Sequence, residues 1–151
     1  MIVKLIREDT RGSSLLEYTV TIPLWLSLMF GLVQAGLLLF TYSGLQHGVE
    51  RAARCASVNY SAYQLGLTQS CFAAAPDAVT DTDIKQYAAQ NSWGIKVPAS
   101  SSFTVHSPPA ATAKCGTDPG YVVTVSQAYN LVHYLFSVTL TATSCFPINV
   151  S

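Results

Sequence analysis

Residues 19–42 read TVTIPLWLSLMFGLVQAGLLLFTY, and this stretch decides the fold. It lies within a run from Tyr18 to Gln46 that holds no charged residue. About 20 apolar residues in a helix cross the ~30 Å hydrocarbon layer of a bilayer. The run is therefore long enough to span one. A buried core helix of a soluble protein seldom extends this far without a charge. A removable secretory signal fits poorly, because its apolar region covers only about 7–15 residues and ends at a small-residue cleavage site. The expectation is a membrane anchor.

The flanks orient it. Lys4, Arg7 and Arg11 precede the run, and the positive-inside rule places them in the cytoplasm. Arg51 and Arg54 dilute that signal on the far side. Four cysteines, at 55, 71, 115 and 145, all follow the run. None forms C-x-x-C, and no histidine stands at a spacing that completes a zinc site. An even number of cysteines on one side of a span reads as two disulfides in an oxidising compartment, with free buried thiols as the alternative. That compartment puts the C-terminal part outside.

Composition agrees. The chain has 151 residues, enough for one domain and an appendage. Half of it is hydrophobic and 11% is charged, against roughly 25% charged in an ordinary soluble domain. Part of the chain must meet something other than water. Eight basic residues balance eight acidic ones, so no basic face is left to neutralise phosphates, and a nucleic-acid partner is excluded.

Helical character continues past the bilayer. In Gly44–Val58, Leu45, Val49 and Ala52/Ala53 fall on one stripe, with Glu50, Arg51 and Arg54 elsewhere. A helix from about Leu15 to Val58 would be ~65 Å long at about 1.5 Å per residue and would form a stem. Pro23 predicts a kink, which membrane helices tolerate. Residues 59–79 read as loop. Thr80-x-x-Asp83 resembles a capping box, and the helix it opens carries Ile84, Tyr87 and Ala88 on one face and stops near Gly94.

Strand signals follow at Phe103–His106, Tyr121–Ser126 and Val138–Thr143, with a turn expected at Asp118-Pro119-Gly120. If the last two strands form a hairpin around Asn130–Phe136, the start of one lies beside the end of the other. Cys115 then meets Cys145, leaving Cys71 as a local partner for Cys55. Of the three possible pairings this one is favoured. The hairpin connection, NLVHYLF, is too apolar for a solvated loop. It reads as packing under the stem, with a membrane surface or a partner subunit as alternatives. The fold class is α+β, a long N-terminal helix against a small antiparallel sheet.

The informative motif is RGSSLLEY, Arg11–Tyr18. A short charged leader ends in Gly12. Glu17 follows five residues later, then Tyr18, then the apolar run. A carboxylate in lipid costs ~2.5–3.5 kcal/mol at mid-span and less near the interface, so an intramembrane acid is a functional candidate whose partner must be named. The alternatives are an interfacial residue for Glu17 and a loop residue for Gly12.

This pattern resembles the type IV pilin superfamily, whose leader peptidase cuts after a glycine five residues before a glutamate. The added Tyr18 looks like the variant used by Flp pilins of the tight-adherence (Tad) system. Leu15–Val58 is similar to the TadE-like pseudopilins in its Glu-aromatic start, the proline in the span, Leu45-Gln46 and Ala52-Ala53-Arg54. The resemblance implies cleavage between Gly12 and Ser13 by a membrane prepilin peptidase. The new amine on Ser13 of one subunit would then be neutralised by Glu17 of another.

It further implies a minor pseudopilin in the inner membrane with its domain in the periplasm. Its partners would be the major Flp pilin, a sibling pseudopilin and the assembly platform. The regions would be a leader over 1–12, a transmembrane and stem helix over 13–58, and a periplasmic domain over 59–151. Glu8 and Asp9 depart from the pattern, leaving the leader a net charge of +1. The rival reading is a single-pass anchor carrying an outer binding or adhesin domain. A secretion pseudopilin of another type IV-like system is a third.

Ser27, Gly31 and Ala35 fall four apart, as do Gly44, Gly48, Ala52 and Ala56, and small residues at that spacing let helices approach closely. For catalysis there is little. His47, His106 and His133 are scattered, and Asp77, Asp81 and Asp83 lack an EF-hand-type loop. Nucleophile elbow, P-loop and dinucleotide fingerprint are missing. Asn59-Tyr-Ser61 and Asn149-Val-Ser151 match the glycosylation pattern incidentally. The expectation is a non-enzyme without cofactor or metal.

Overall fold

The computed structural model describes residues 10–67, 71–72, 79–108, 112–131 and 136–148. Lys4, Arg7, Glu8, Asp9, Asp77, His133 and the Asn149–Ser151 sequon lie outside them. The chain divides into two compact units, Met1–Gly36 and Leu37–Ser151. Helix α1, Thr10–Gln64, contributes to both and holds Pro23 in its interior.

In the first unit the helix is solvent-exposed from Glu17 to Val33. Leu24, Trp25 and Leu26 are exposed, as are Leu28, Met29 and Phe30. Consecutive helical residues point about 100° apart, so no face of this segment is polar.

The second unit holds the core. Leu45, Val49, Ala52, Ala53 and Ala56 form the buried stripe of α1. The helix outruns the expected end at Val58, and the first residues of the anticipated loop, through Gln64, are helical. Tyr60, in line with Val49 and Ala56, packs against the core and carries the stripe past Val58, while Ala62 is buried on another face of the helix.

Helix α2, Asp81–Gln90, starts at Thr80 with a reciprocal capping box. The Asp83 backbone N–H donates to Thr80 Oγ1, and the Thr80 N–H and hydroxyl both donate to the Asp83 carboxylate, at 3.0 and 2.7 Å. Its buried face is Ile84 and Ala88. It ends at Gln90 rather than near Gly94, because Asn91 caps it and Ser92 turns its hydroxyl back to the Ala88 carbonyl.

The sheet comprises β1 (Phe103–His106), β2 (Lys114–Cys115), β3 (Asp118–Leu131) and β4 (Phe136–Pro147), preceded by a 3₁₀ turn at Ser100–Ser102. All pairings are antiparallel and all involve β3. Tyr121, Val123, Val125 and Tyr129 alternate along β3 onto the core face, where they meet Phe103, Val105 and Ala142.

Two expectations change here. β3 and β4 outrun their β-branched stretches, because their pairing continues from Gly120–Pro147 to Leu131–Phe136. Asn130, Leu131 and Phe136 of the anticipated connection are therefore strand residues, and 132–135 lie outside the described residues. The turn also shifts. Asp118, Pro119 and Gly120 belong to β3, while Gly116 and Thr117 turn the chain after β2. Gly116 has φ +74°, which glycine adopts without a side-chain clash. Pro119 has no N–H to give, and Gly120 donates instead to the Ala113 carbonyl at 2.9 Å.

Cys55 is bonded to Cys71 and Cys115 to Cys145, with Cα–Cα separations of 6.0 and 5.5 Å. The first bond ties the chain after α1 back to the helix. The second closes the start of β3 against the end of β4, where Val122 lies opposite Cys145.

Candidate functional site

The site is the exposed part of α1 that begins at Glu17. Gly12 and Ser13 lie in the first turns of the helix. Glu17 and Tyr18 are exposed, Tyr18 at 65%. Among the side chains described, which begin at Glu17 itself, none pairs with its carboxylate. The Glu17 backbone carbonyl accepts from the Thr21 hydroxyl at 2.7 Å, and the Leu24 carbonyl accepts from Ser27 at 2.8 Å. Hydroxyls returned to their own helix need no outside partner, which suits an apolar solvent. The carboxylate has no such recourse.

The most apolar window of this helix has mean hydropathy 1.9 and none of it is buried. The helix is long and apolar enough to cross a membrane and is a candidate anchor. An exposed apolar surface of this size marks a contact with lipid or protein.

The small residues divide into two sets. Ser27, Gly31 and Ala35 are exposed, and a Cβ placed on Gly31 would meet nothing within 4 Å. Gly44, Gly48 and Ala52 are buried within the second unit. A Cβ on Gly44 would collide with the Trp93 carbonyl, and one on Gly48 with the Ser92 hydroxyl and the Ala88 carbonyl. Their smallness serves the close approach of α1 to α2 and the segment that follows it.

That segment, Ser92–Val97, is a feature sequence reasoning passed over, using only Gly94 as a helix stop. Its signal was present: Trp93, Ile95 and Val97 break the polarity expected of a loop.

Elsewhere several titratable side chains are occupied by structural contacts. The Asp81 carboxylate accepts from Ser107 at 3.0 Å. Two hydrogen bonds from Thr80 hold the Asp83 carboxyl below its ordinary value. Burial, then Tyr60 and Asp81, pushes the Tyr121 hydroxyl up, and burial does the same for Tyr129. His47 lies against Trp93, with ring centroids 4.3 Å apart, and its Nδ1 is 3.4 Å from the Asn91 carbonyl. His106 Nδ1 is 3.2 Å from the Thr112 hydroxyl. Among the described residues no three His, Cys, Asp or Glu side chains gather as a metal would need. Asn59 is 2% exposed, so its sequon amide is not offered to an enzyme.

Residues 12–54 match the family described as TadE-like protein. The match covers less than a third of the 151 residues. It begins at Gly12, takes in the exposed helix and the Gly44–Ala52 packing stripe, and stops one residue before Cys55. No curated protein and no solved structure matches the chain. The match ties residues 12–54 to a family associated with the Tad pilus.

Proposed function

We propose that this chain, with its TadE-like residues 12–54, is a minor pseudopilin of a Tad/Flp pilus. A prepilin peptidase removes residues 1–12, and the apolar stretch of α1 that follows anchors the subunit in the inner membrane. The domain over 59–151 faces the periplasm. Initiating, capping or supporting the pilus then requires contact with the major Flp pilin, a sibling pseudopilin and the membrane platform.

The observation that carries this reading is Glu17, an acid at the head of a helical stretch, through Val33, that is apolar and exposed on every side. In lipid the carboxylate is costly, and so is the amine that cleavage exposes on Ser13. A subunit whose Glu17 meets a neighbour's amino terminus turns two uncompensated charges into one ion pair. Such a pair leaves neither charge uncompensated in lipid, so association is favoured over separation. The exposed Ser27, Gly31 and Ala35 supply a close-approach face for neighbouring helices. The two disulfides suit an oxidising compartment.

Mass spectrometry of the chain recovered from cells that hold the peptidase tests processing. The expected product begins at Ser13, and Gly12→Arg abolishes it. An intact Met1 terminus in those cells would leave a plain anchor carrying an outer domain.

A further inference from the structure

We propose that Trp93, Ile95 and Val97 form a rigid wedge that seats in the lipid headgroup layer beside the exit of α1; this rests on the reading of α1 as a spanning helix. These side chains are 38, 61 and 53% exposed, an unusual amount of large apolar surface for one short segment. The exposure is built in by the backbone. The Ile95 N–H donates to Thr41 Oγ1 at 3.4 Å. Tyr129 on β3 donates its hydroxyl to the Lys96 carbonyl at 2.9 Å. His47 packs on the Trp93 ring from the helix side. Gly94 has φ +152°, and a Cβ there would lie 2.6 Å from the Thr41 methyl. The segment is thus pinned to α1 and to the sheet while its apolar side chains face outward.

Its level on the helix identifies the occupant. A span entered at Glu17 uses about 20 residues and ends close to Leu37–Thr41. The segment touches α1 from Thr41, which Ile95 and Gly94 meet, through Gly44 and His47, which Trp93 meets. Leu37, Leu39, Phe40 and Tyr42, within a turn of that contact, are exposed in the same unit. The wedge therefore continues the apolar surface of the helix at the depth where tryptophan and tyrosine are enriched in membrane proteins. Lys96 is exposed between Ile95 and Val97, placed to meet anionic headgroups. A wedge seated in this way holds the domain at a fixed height and rotation on the bilayer, leaving the rest of its surface for neighbouring subunits.

The chain has two tryptophans, so each reports separately. The full chain is reconstituted in phosphatidylcholine–phosphatidylglycerol vesicles, with or without lipids brominated near the headgroup end of their acyl chains. In Trp25→Phe, where Trp93 is the sole reporter, brominated lipid should remove about half or more of the emission, as expected of a ring at headgroup depth. Ile95→Asp, altering a side chain already largely exposed, should restore most of it.

In Trp93→Phe, quenching of Trp25 by lipids brominated deeper in the chain reports the span alone. Trp25 quenched, with Trp93 unquenched and open to iodide, overturns the wedge and leaves the span standing. Trp25 unquenched overturns the spanning reading itself. Trp93 shielded from iodide only as subunit density rises, without bromolipid quenching, assigns the segment to a second protein and also overturns the wedge.

Discussion

Gly31 and Gly48 lie on one helix, each at the head of a small-xxx-small step, yet their surroundings are opposite. A side chain on Gly31 would meet open space; one on Gly48 would strike Ser92 and Ala88. The same contrast separates the stretch from Glu17 to Val33, exposed and apolar all round, from Leu45–Ala62, which buries a stripe against α2 and the sheet. Close packing of the second stretch is satisfied inside the chain. That of the first is unmet within the described residues and, on the function proposed above, is supplied by a neighbouring subunit. A periodic pattern of small residues shows that something approaches closely, and burial alone tells what it is.

Changes in the second stretch should therefore unfold the domain, and changes in the first should not. The largest effect is expected from removing the Cys115–Cys145 bond. Cross-linking residues 30 apart limits the unfolded chain by about 3–4 kcal/mol on the loop-entropy estimate. Cys115→Ser/Cys145→Ser should lower the domain's unfolding free energy by that much in denaturant titrations followed by near-UV dichroism, with anchor insertion unchanged. Next comes Gly48→Leu, expected to cost about 2–3 kcal/mol through overpacking against Ser92 and Ala88. Gly31→Leu in the same titration should cost nothing measurable, and equal losses at both positions would erase the distinction between the two stretches.

A smaller effect sits at the capping box. Thr80→Ala should cost about 1 kcal/mol. Because Thr80 holds the Asp83 carboxyl below its ordinary 3.8, the folded-state pKa lies under the unfolded one. The associated stability is then present above the unfolded value and lost as pH falls through the folded one. The cost of Thr80→Ala should accordingly shrink when the titration is repeated below about pH 4, the carboxylate's titration range. The smallest change concerns Asn59, whose buried Oδ1 has no partner among the described residues. Asn59→Leu should leave stability unchanged or raise it by about 1 kcal/mol, since the orphan acceptor is removed.

How legible all this is in the sequence depends on whether the determining contacts are local. The unbroken apolar run marks α1, and Thr80 with Asp83 marks the start of α2, because helix and cap are decided within a few residues. The cysteine pairing follows from hairpin register, a simple consequence of antiparallel geometry. The end of α1 at Gln64 was hidden, since Tyr60 is held by distant parts of the core. So was β2, two residues defined only by pairing with Asp118 and Pro119. Asp-Pro-Gly has strong turn chemistry, but Gly116 had already reversed the chain. At the candidate site, Glu17 and the residues before it are readable as a motif. That Gly44 and Gly48 are engaged internally became visible only when Ser92 and Trp93 were placed against them.

The account turns on Glu17 meeting another subunit's amino terminus inside the bilayer. A lipid-soluble carbodiimide joins a carboxylate directly to an amine in contact with it, with no added spacer. Applied to membranes carrying the processed chain and its assembly partners, it should yield a Glu17 peptide joined by an amide to a neighbour's N-terminal peptide. Glu17→Gln should lose both that product and the subunit association. Recovery of Glu17 unjoined, together with undiminished association of Glu17→Gln, would contradict the account.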